Sequence, residues 1–201
     1  MRPTRPPPAS FRVTRLTNVS DPGSPVLQAM YINDRAAAEQ LADGQLLDVA
    51  EAAALGRVDR LVELLDAEPS AVSQRTNDGF TPLHLAAFFG GALAVGLLID
   101  RGADVSAVAD NPMRVQPLHS AAAARDVDAV RCLLEAGAAV DAQQMGGWTA
   151  LQEAAGNGDA AMVDVLLAGG ADVSVTNDAG KPAADIAEEG GFDELAQRLR
   201  P

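Results

Sequence analysis

The chain has 201 residues, 48% of them hydrophobic and 21% charged, with seven aromatic side chains in all; that is globular composition, too apolar for a fully disordered protein, with a core built mainly from Leu, Val and Ala. The net charge of −13 argues against a binder of bulk nucleic acid and against docking on anionic membranes. One cysteine, Cys132, excludes an internal disulfide and a CxxC zinc site, two histidines leave little for a metal site, and no apolar run reaches the roughly 18 residues that cross a bilayer.

These features predict a soluble, cytoplasmic protein with no metal and no cofactor. Charge is unevenly spread along it. Residues 1–29 hold Arg2, Arg5, Arg12 and Arg15 against one acid, Asp21, whereas the other 172 residues carry 11 basic and 27 acidic groups. The first segment also holds half of the 12 prolines. Proline removes backbone donors and opposes regular helix. Residues 1–29 therefore read as a disordered Pro/Arg-rich tail, and residues 30–201 as the folded domain. The scarcity of acids also admits a transit peptide, although Pro3, Pro6, Pro7 and Pro8 work against its amphipathic helix. A basic arm that grips an acidic partner, or translation starting at Met30, are further readings.

A short helix is expected near 33–42, and beyond it the chain repeats. Leu83, Leu118, Leu151 and Ala184 are spaced 35, 33 and 33. Ala86, Ala121, Ala154 and Ala187 keep that spacing, and Gly102, Gly137 and Gly170 are 35 and 33 apart. Val72, Val105, Val140 and Val173 run 33, 35, 33. Chance rarely aligns even two such columns, so periods of this length indicate a solenoid.

The unit reads physically. In Asp78-Gly79-Phe80-Thr81-Pro82-Leu83-His84-Leu85-Ala86-Ala87, Asp-Gly marks a tight turn. Thr81 can cap a helix and Pro82 suits its first position. Leu83, Ala86 and Ala87 form one apolar face, and Gly90-Gly91 ends the helix. A second helix follows, with Leu93, Leu97 and Leu98 on its expected buried face and Gly102 as the left-handed residue that closes it. One unit cannot bury its apolar face alone; stacking several makes a continuous core.

Thr81-Pro82-Leu83-His84-Leu85-Ala86 and the 33-residue period resemble ankyrin repeats. The resemblance covers about residues 44–200, in units of about 44–76, 77–110, 111–144, 145–178 and 179–200. The third unit reads Gln116-Pro117-Leu118-His119-Ser120-Ala121 and the fourth Thr149-Ala150-Leu151-Gln152-Glu153-Ala154, which lacks both Pro and His. The first unit lacks the motif but keeps two helices, Leu47 to Leu55 and Val58 to Asp66. The last, with polar Glu188, Glu189, Asp193, Glu194, Gln197 and Arg198, suits a cap facing water. The turn 109–115 is two residues longer than its counterparts. The 14 arginines to one lysine, with abundant Ala, suggest a GC-rich, bacterial source.

The resemblance implies an all-α ankyrin-repeat solenoid, stacked helix-turn-helix units with short hairpin-like turns. It implies a structural role for His84 and His119, which hydrogen-bond within their own turn and link neighbouring units. It also implies that partners bind the turn fingers and the concave side of the first helices. The matching positions are Asn77, Asp78, Phe80, Met113, Arg114, Met145 and Trp148 on the fingers, and Phe88, Phe89, Ala123, Ala124 and Asn157 on the helices. Of these, Asn77, Asp78, Phe80, Phe88, Phe89, Met113, Arg114 and Trp148 are the candidate protein-binding residues, and Leu55 extends the stripe. Phe88 and Phe89 stand out, because Leu83, Ala86 and Ala87 already fill the buried side of their helix. Phe80 and Trp148 have a competing assignment as packing between fingers. No convergent carboxylates, nucleophile site or P-loop appear, and Cys132 reads as a small buried hydrophobe. The function read from the residues is therefore a monomeric, non-catalytic scaffold or adaptor that binds a protein with a basic surface. A regulator that masks an enzyme or toxin would carry the same sequence features, and an enzyme would need an unrecognised site.

Overall fold

The computed structural model describes residues 23–200, and among them it contains twelve α-helices and no strand. Helices α1 (Pro25–Tyr31) and α2 (Arg35–Ala42) form an N-terminal hairpin. Five helix pairs follow: α3 (Val49–Leu55) with α4 (Val58–Ala67), α5 (Pro82–Leu85) with α6 (Ala92–Asp100), α7 (Pro117–Ala124) with α8 (Val127–Glu135), α9 (Ala150–Gly156) with α10 (Ala160–Ala168), and α11 (Ala183–Glu189) with α12 (Asp193–Arg198). This is the all-α solenoid that the repeat columns require.

Local chemistry sets the ends of these helices. Asp48 caps α3 and Glu51 reaches back to it in a capping box. Pro82 and Pro117 sit in the first turn of α5 and α7, where a missing N–H costs nothing. After α8 and α10 the chain must reverse, and Gly137 and Gly170 take φ of +90°, as Gly102 takes +85° after α6. Open space surrounds all three, so the conformation alone selects glycine. Gly137→Val is expected to lower stability by about 1–2 kcal/mol in urea titrations.

The first helices bury the repeating leucines and alanines against the second helices. Leu83, Leu118, Ala86 and Ala121 are wholly buried. The second helices bury a matching set: Ala94, Val95 and Leu98 on α6, Ala129, Val130 and Leu133 on α8, Met162, Val163 and Leu166 on α10. Burying each large side chain contributes roughly 1.5–3 kcal/mol. On α6 this differs from expectation, since Leu93 is 81% exposed. That helix is apolar on every side, Ala92-Leu93-Ala94-Val95-Gly96-Leu97-Leu98-Ile99, so no polar face dictates its rotation. Cys132 is only half-buried, packed at the rim of the core, where burial and the nearby Glu135, Asp126 and Asp128 raise its thiol pKa.

The boundary of the fold lies earlier than residue 30. In α1, Val26, Leu27, Ala29 and Met30 are buried in the continuous core. Ser24 caps the helix, accepting from the Leu27 N–H (3.3 Å), and Pro25 occupies its first turn. Residues 24–29 are thus structural rather than tail, and proline here starts a helix instead of preventing one. Residues 1–22 lie outside the described residues, and with them the transit-peptide and basic-arm readings.

Candidate functional site: the fingers and the inner face

Between helix pairs the chain forms hairpin-like fingers, each with a backbone bond across its base. These run from the N–H of Thr76 to Phe80 O (2.9 Å), Ala109 to Val115 O (2.8 Å), Gln144 to Trp148 O (2.9 Å) and Asn177 to Lys181 O (3.1 Å). Numbered by the repeat unit they open, these are the second to fifth fingers, and the third, 109–115, spans the two extra residues. Adjacent fingers are stitched together by Asp110 N–H to Gly79 O (3.0 Å), Met145 N–H to Met113 O (2.9 Å) and Asp178 N–H to Gly146 O (3.0 Å). Met113, in the longer turn, thereby anchors the fourth finger.

Buried histidines fix each finger to its helix. His84 Nδ1 accepts from the Thr81 N–H (3.2 Å), and Nε2 donates to Val115 O of the next finger (3.1 Å). His119 repeats this with Gln116 and Ala142. In the fourth unit Gln152 does the same work, its Oε1 accepting from the Thr149 N–H (3.1 Å) and its Nε2 donating to Val175 O (2.9 Å). The amide replaces the imidazole because it too offers an acceptor and a donor on opposite sides, a substitution that the bare motif obscures. Burial pushes His84 down to about 4 and lowers His119 as well. A depressed folded pKa gives stability that is complete above the unfolded pKa of about 6.5 and is lost as pH falls toward 4. His84→Gln keeps both bonds and does not titrate. It is expected to match the wild type at pH 7.5 and to be more stable by about 2 kcal/mol at pH 5, measured by urea unfolding at both pH values.

The candidate contact residues separate into three groups. Phe80 and Asp78 are buried, 6% and 2% exposed. Phe80 packs beside the His84 ring (5.7 Å), and Asp78 Oδ1 accepts from the Thr76 hydroxyl. No partner reaches either one in this fold, so both leave the candidate set.

A second group, exposed Asn77 with Phe88 and Phe89, lies beside the N-terminal hairpin, whose α1 packs against α3 and Phe89. Ser24 Oγ donates to Glu51 at the start of α3. Gly23 approaches the Asn77 finger so closely that a Cβ on it would lie 2.7 Å from Asn77 Nδ2. At the other end, the Tyr31 ring packs on Phe89 (5.6 Å), and Phe89 meets Phe88 edge-on (4.6 Å). Arg35 donates to the carbonyls of Leu55 (2.8 Å) and Phe89 (3.1 Å), where two first helices end. Phe88 and Phe89 are half-buried, with Phe89 packed against the core. Their segment, Ala86–Gly90, is a π-helical turn closed by Gly91 N–H to Ala86 O (2.9 Å). Phe89 thus packs on α1, an element hidden in the proline-rich part of the sequence, while Phe88 meets Phe89 alone. The signal for it was Ser24-Pro25 followed by Val26, Leu27 and Met30.

The third group remains open. Trp148 and Met113 are half-buried, Arg114 is exposed at φ +51°, and Met145 is 47% exposed beside them on the joined third and fourth fingers. Buried on α9 is Glu153. It is 7% exposed, its Oε2 has no hydrogen-bond partner, and burial alone raises its pKa to about 7. In the sequence it stands among many scattered acids. Among the described residues no three His, Cys, Asp or Glu side chains are grouped to hold a metal, and no helix is long and apolar enough to cross a membrane.

Comparison with known proteins agrees with this architecture. The family model for ankyrin repeats matches in overlapping stretches, residues 49–144 and 107–177. The B-cell lymphoma 3 protein homolog of Mus musculus is 38% identical over 120 residues, covering 58% of this chain and 27% of that protein. A Danio rerio protein whose name designates it a palmitoyltransferase, ZDHHC13, is 40% identical over 112 residues, 55% of this chain and 17% of its own length. The chain thus spans less than a third of either relative. With a family model matching well over half its length and the histidine-pinned fingers that the repeat pattern demands, the chain belongs to the ankyrin repeat family.

Proposed function

We propose that this chain is a non-catalytic recognition module, a scaffold or adaptor that binds a protein with a basic surface through the third and fourth fingers and the inner face of α7 and α9. Ankyrin repeats generally mediate protein–protein interaction. The observation that carries the reading here is the open patch of Met113, Arg114, Met145 and Trp148 on two fingers joined by backbone hydrogen bonds. A rigid scaffold presenting apolar anchors loses little entropy on binding. The 27 acids beyond residue 29 steer a basic partner toward it. Under α1, the first two units have their inner face already occupied, which directs a partner to the later units.

The test uses the immobilised full chain against a native lysate, with bound proteins identified by mass spectrometry. Met145→Asp and Trp148→Ala should each lose a protein that the wild type retains, while melting within a few degrees of it. Retention of the same proteins by both variants would place recognition elsewhere.

A further inference from the structure

The second helices of neighbouring units stand in one register, since buried Leu98 of α6 takes the place of Leu65 on α4, Leu133 on α8 and Leu166 on α10. The same register aligns their outward positions. Where α6 carries Leu93 and Gly96, α4 carries Arg60 and Glu63, joined as an ion pair (2.9 Å), and α8 carries Asp128 and Arg131, joined as another (2.9 Å). Charge pairs at this spacing suit a helix surface in water. On α6, which packs between α4 and α8, the surface is apolar instead: Leu93 is exposed, and Leu97, one turn on, is half-buried.

Gly96 has no role in the chain's own packing. It lies inside α6 with helical backbone, where glycine is a poorer helix former than alanine, and a Cβ on it would meet nothing within 4 Å. Its missing side chain leaves a notch between Leu93 and Leu97 on the outward face. Such a notch is what the ridge of a second helix fills.

Charge selects the occupant. Arg60, Arg101 and Arg131 are engaged by Glu63, Asp66 and Asp128. Asp59, Asp100 and Glu135 are exposed and have no ion pair among the described residues. Asp100 continues the stripe one turn beyond Leu97, and Glu135 takes its place on α8. Both end a helix, where the macrodipole disfavours an acid and a cation offsets it. A second copy of this chain would bring the same three acids face to face at a net charge of −13 per copy, and an anionic membrane is repelled likewise.

We propose that the outer face of α6 binds a basic amphipathic helix of a protein partner. Its apolar edge lies on Leu93, Gly96 and Leu97, and its flanking lysines or arginines reach Asp59, Asp100 and Glu135. This surface is separate from the fingers, so a protein held at Leu93 is a different species from one held at Met145.

The experiment uses the full chain and a fluorescein-labelled amphipathic peptide, with leucine at helical spacing and lysine elsewhere, and a counterpart with glutamate for lysine. In fluorescence anisotropy at physiological salt, the wild type should bind the lysine peptide saturably and not the glutamate peptide. Leu93→Asp should weaken binding about tenfold although it adds an acid. Gly96→Gln should weaken it by a similar factor while melting no lower than the wild type, since glutamine is the better helix former. Ala161→Gln, at the place of Leu93 on α10, and Met145→Asp on the fourth finger should each change it less than about twofold. Asp100→Asn combined with Glu135→Gln should weaken binding and flatten its salt dependence. Absence of saturable binding by the wild type would overturn the proposal, as would Leu93→Asp or Gly96→Gln binding within about twofold of it. Binding seen only after Arg2, Arg5, Arg12 and Arg15 are changed to Gln would make the chain's own N-terminal segment the occupant and overturn it too. So would a dimer in sedimentation equilibrium that Leu93→Asp dissolves.

Discussion

Leu27→Ala should destabilise the whole protein by about 2–5 kcal/mol, as much as Leu133→Ala in the centre of the solenoid. Leu27 is 1% exposed and Leu133 is wholly buried, and both belong to one continuous core. Removing the Leu27 side chain opens a cavity between α1 and α3, where the Ser24–Glu51 bond and the Tyr31–Phe89 contact limit collapse. Urea unfolding followed by circular dichroism reads the effect. A loss below about 0.5 kcal/mol would show that α1 is not part of the cooperative unit. A chain beginning at Met30, which keeps only the end of α1, is expected to melt several degrees lower for the same reason.

Glu153→Gln should stabilise the protein relative to the wild type, and increasingly so at high pH. The carboxyl is raised from 4.5 to about 7 by burial. A raised folded pKa means that the native state holds its proton where the unfolded chain has released it, so stability declines as pH rises above 4.5 and the loss is complete above about 7. The variant lacks this ionisation. The difference in unfolding free energy between variant and wild type should therefore grow, between pH 4.5 and 8, by on the order of 3 kcal/mol. A difference that stays flat over that range would mean that Glu153 ionises freely in the folded protein. The slope is opposite to that of His84, which weakens the fold on acidification. Together the two buried groups place maximal stability of the wild type near neutral to mildly acidic pH.

The repeat architecture was legible because its signals are independent and periodic. The Leu83 and Ala86 columns mark the buried faces, the Gly102 column marks chain reversals, and Pro82 and Pro117 mark helix starts. Each reflects a local requirement that single residues satisfy. What escaped depends on contacts between distant segments. Phe89 looks unpartnered in its own unit, since its cover comes from Tyr31 and Arg35, more than fifty residues earlier. Proline content argued against helix in residues 1–29, yet Pro25 sits where proline is favourable. The rotation of α6 was undetermined because all its sides are apolar. Glu153 stands in the repeat register where Leu85 and Ile186 stand, a signal of burial that its charge masks among the other acids. The role of Gln152 shows the converse: a residue outside the motif reproduces the motif's hydrogen bonds.

Recognition through the joined third and fourth fingers is tested most directly by site-specific photo-crosslinking in the full chain. A photoactivatable side chain is placed at Met145, on the fingers, or at Leu93, which is 81% exposed on a second helix away from them. Both positions are accessible, so general stickiness labels them equally. The expected result is a crosslinked protein species from Met145 that is absent from Leu93 and is suppressed by excess unlabelled wild-type chain. Equal labelling from both positions, or a competed species from Leu93 alone, would contradict the assignment of the fingers and inner face as the binding surface.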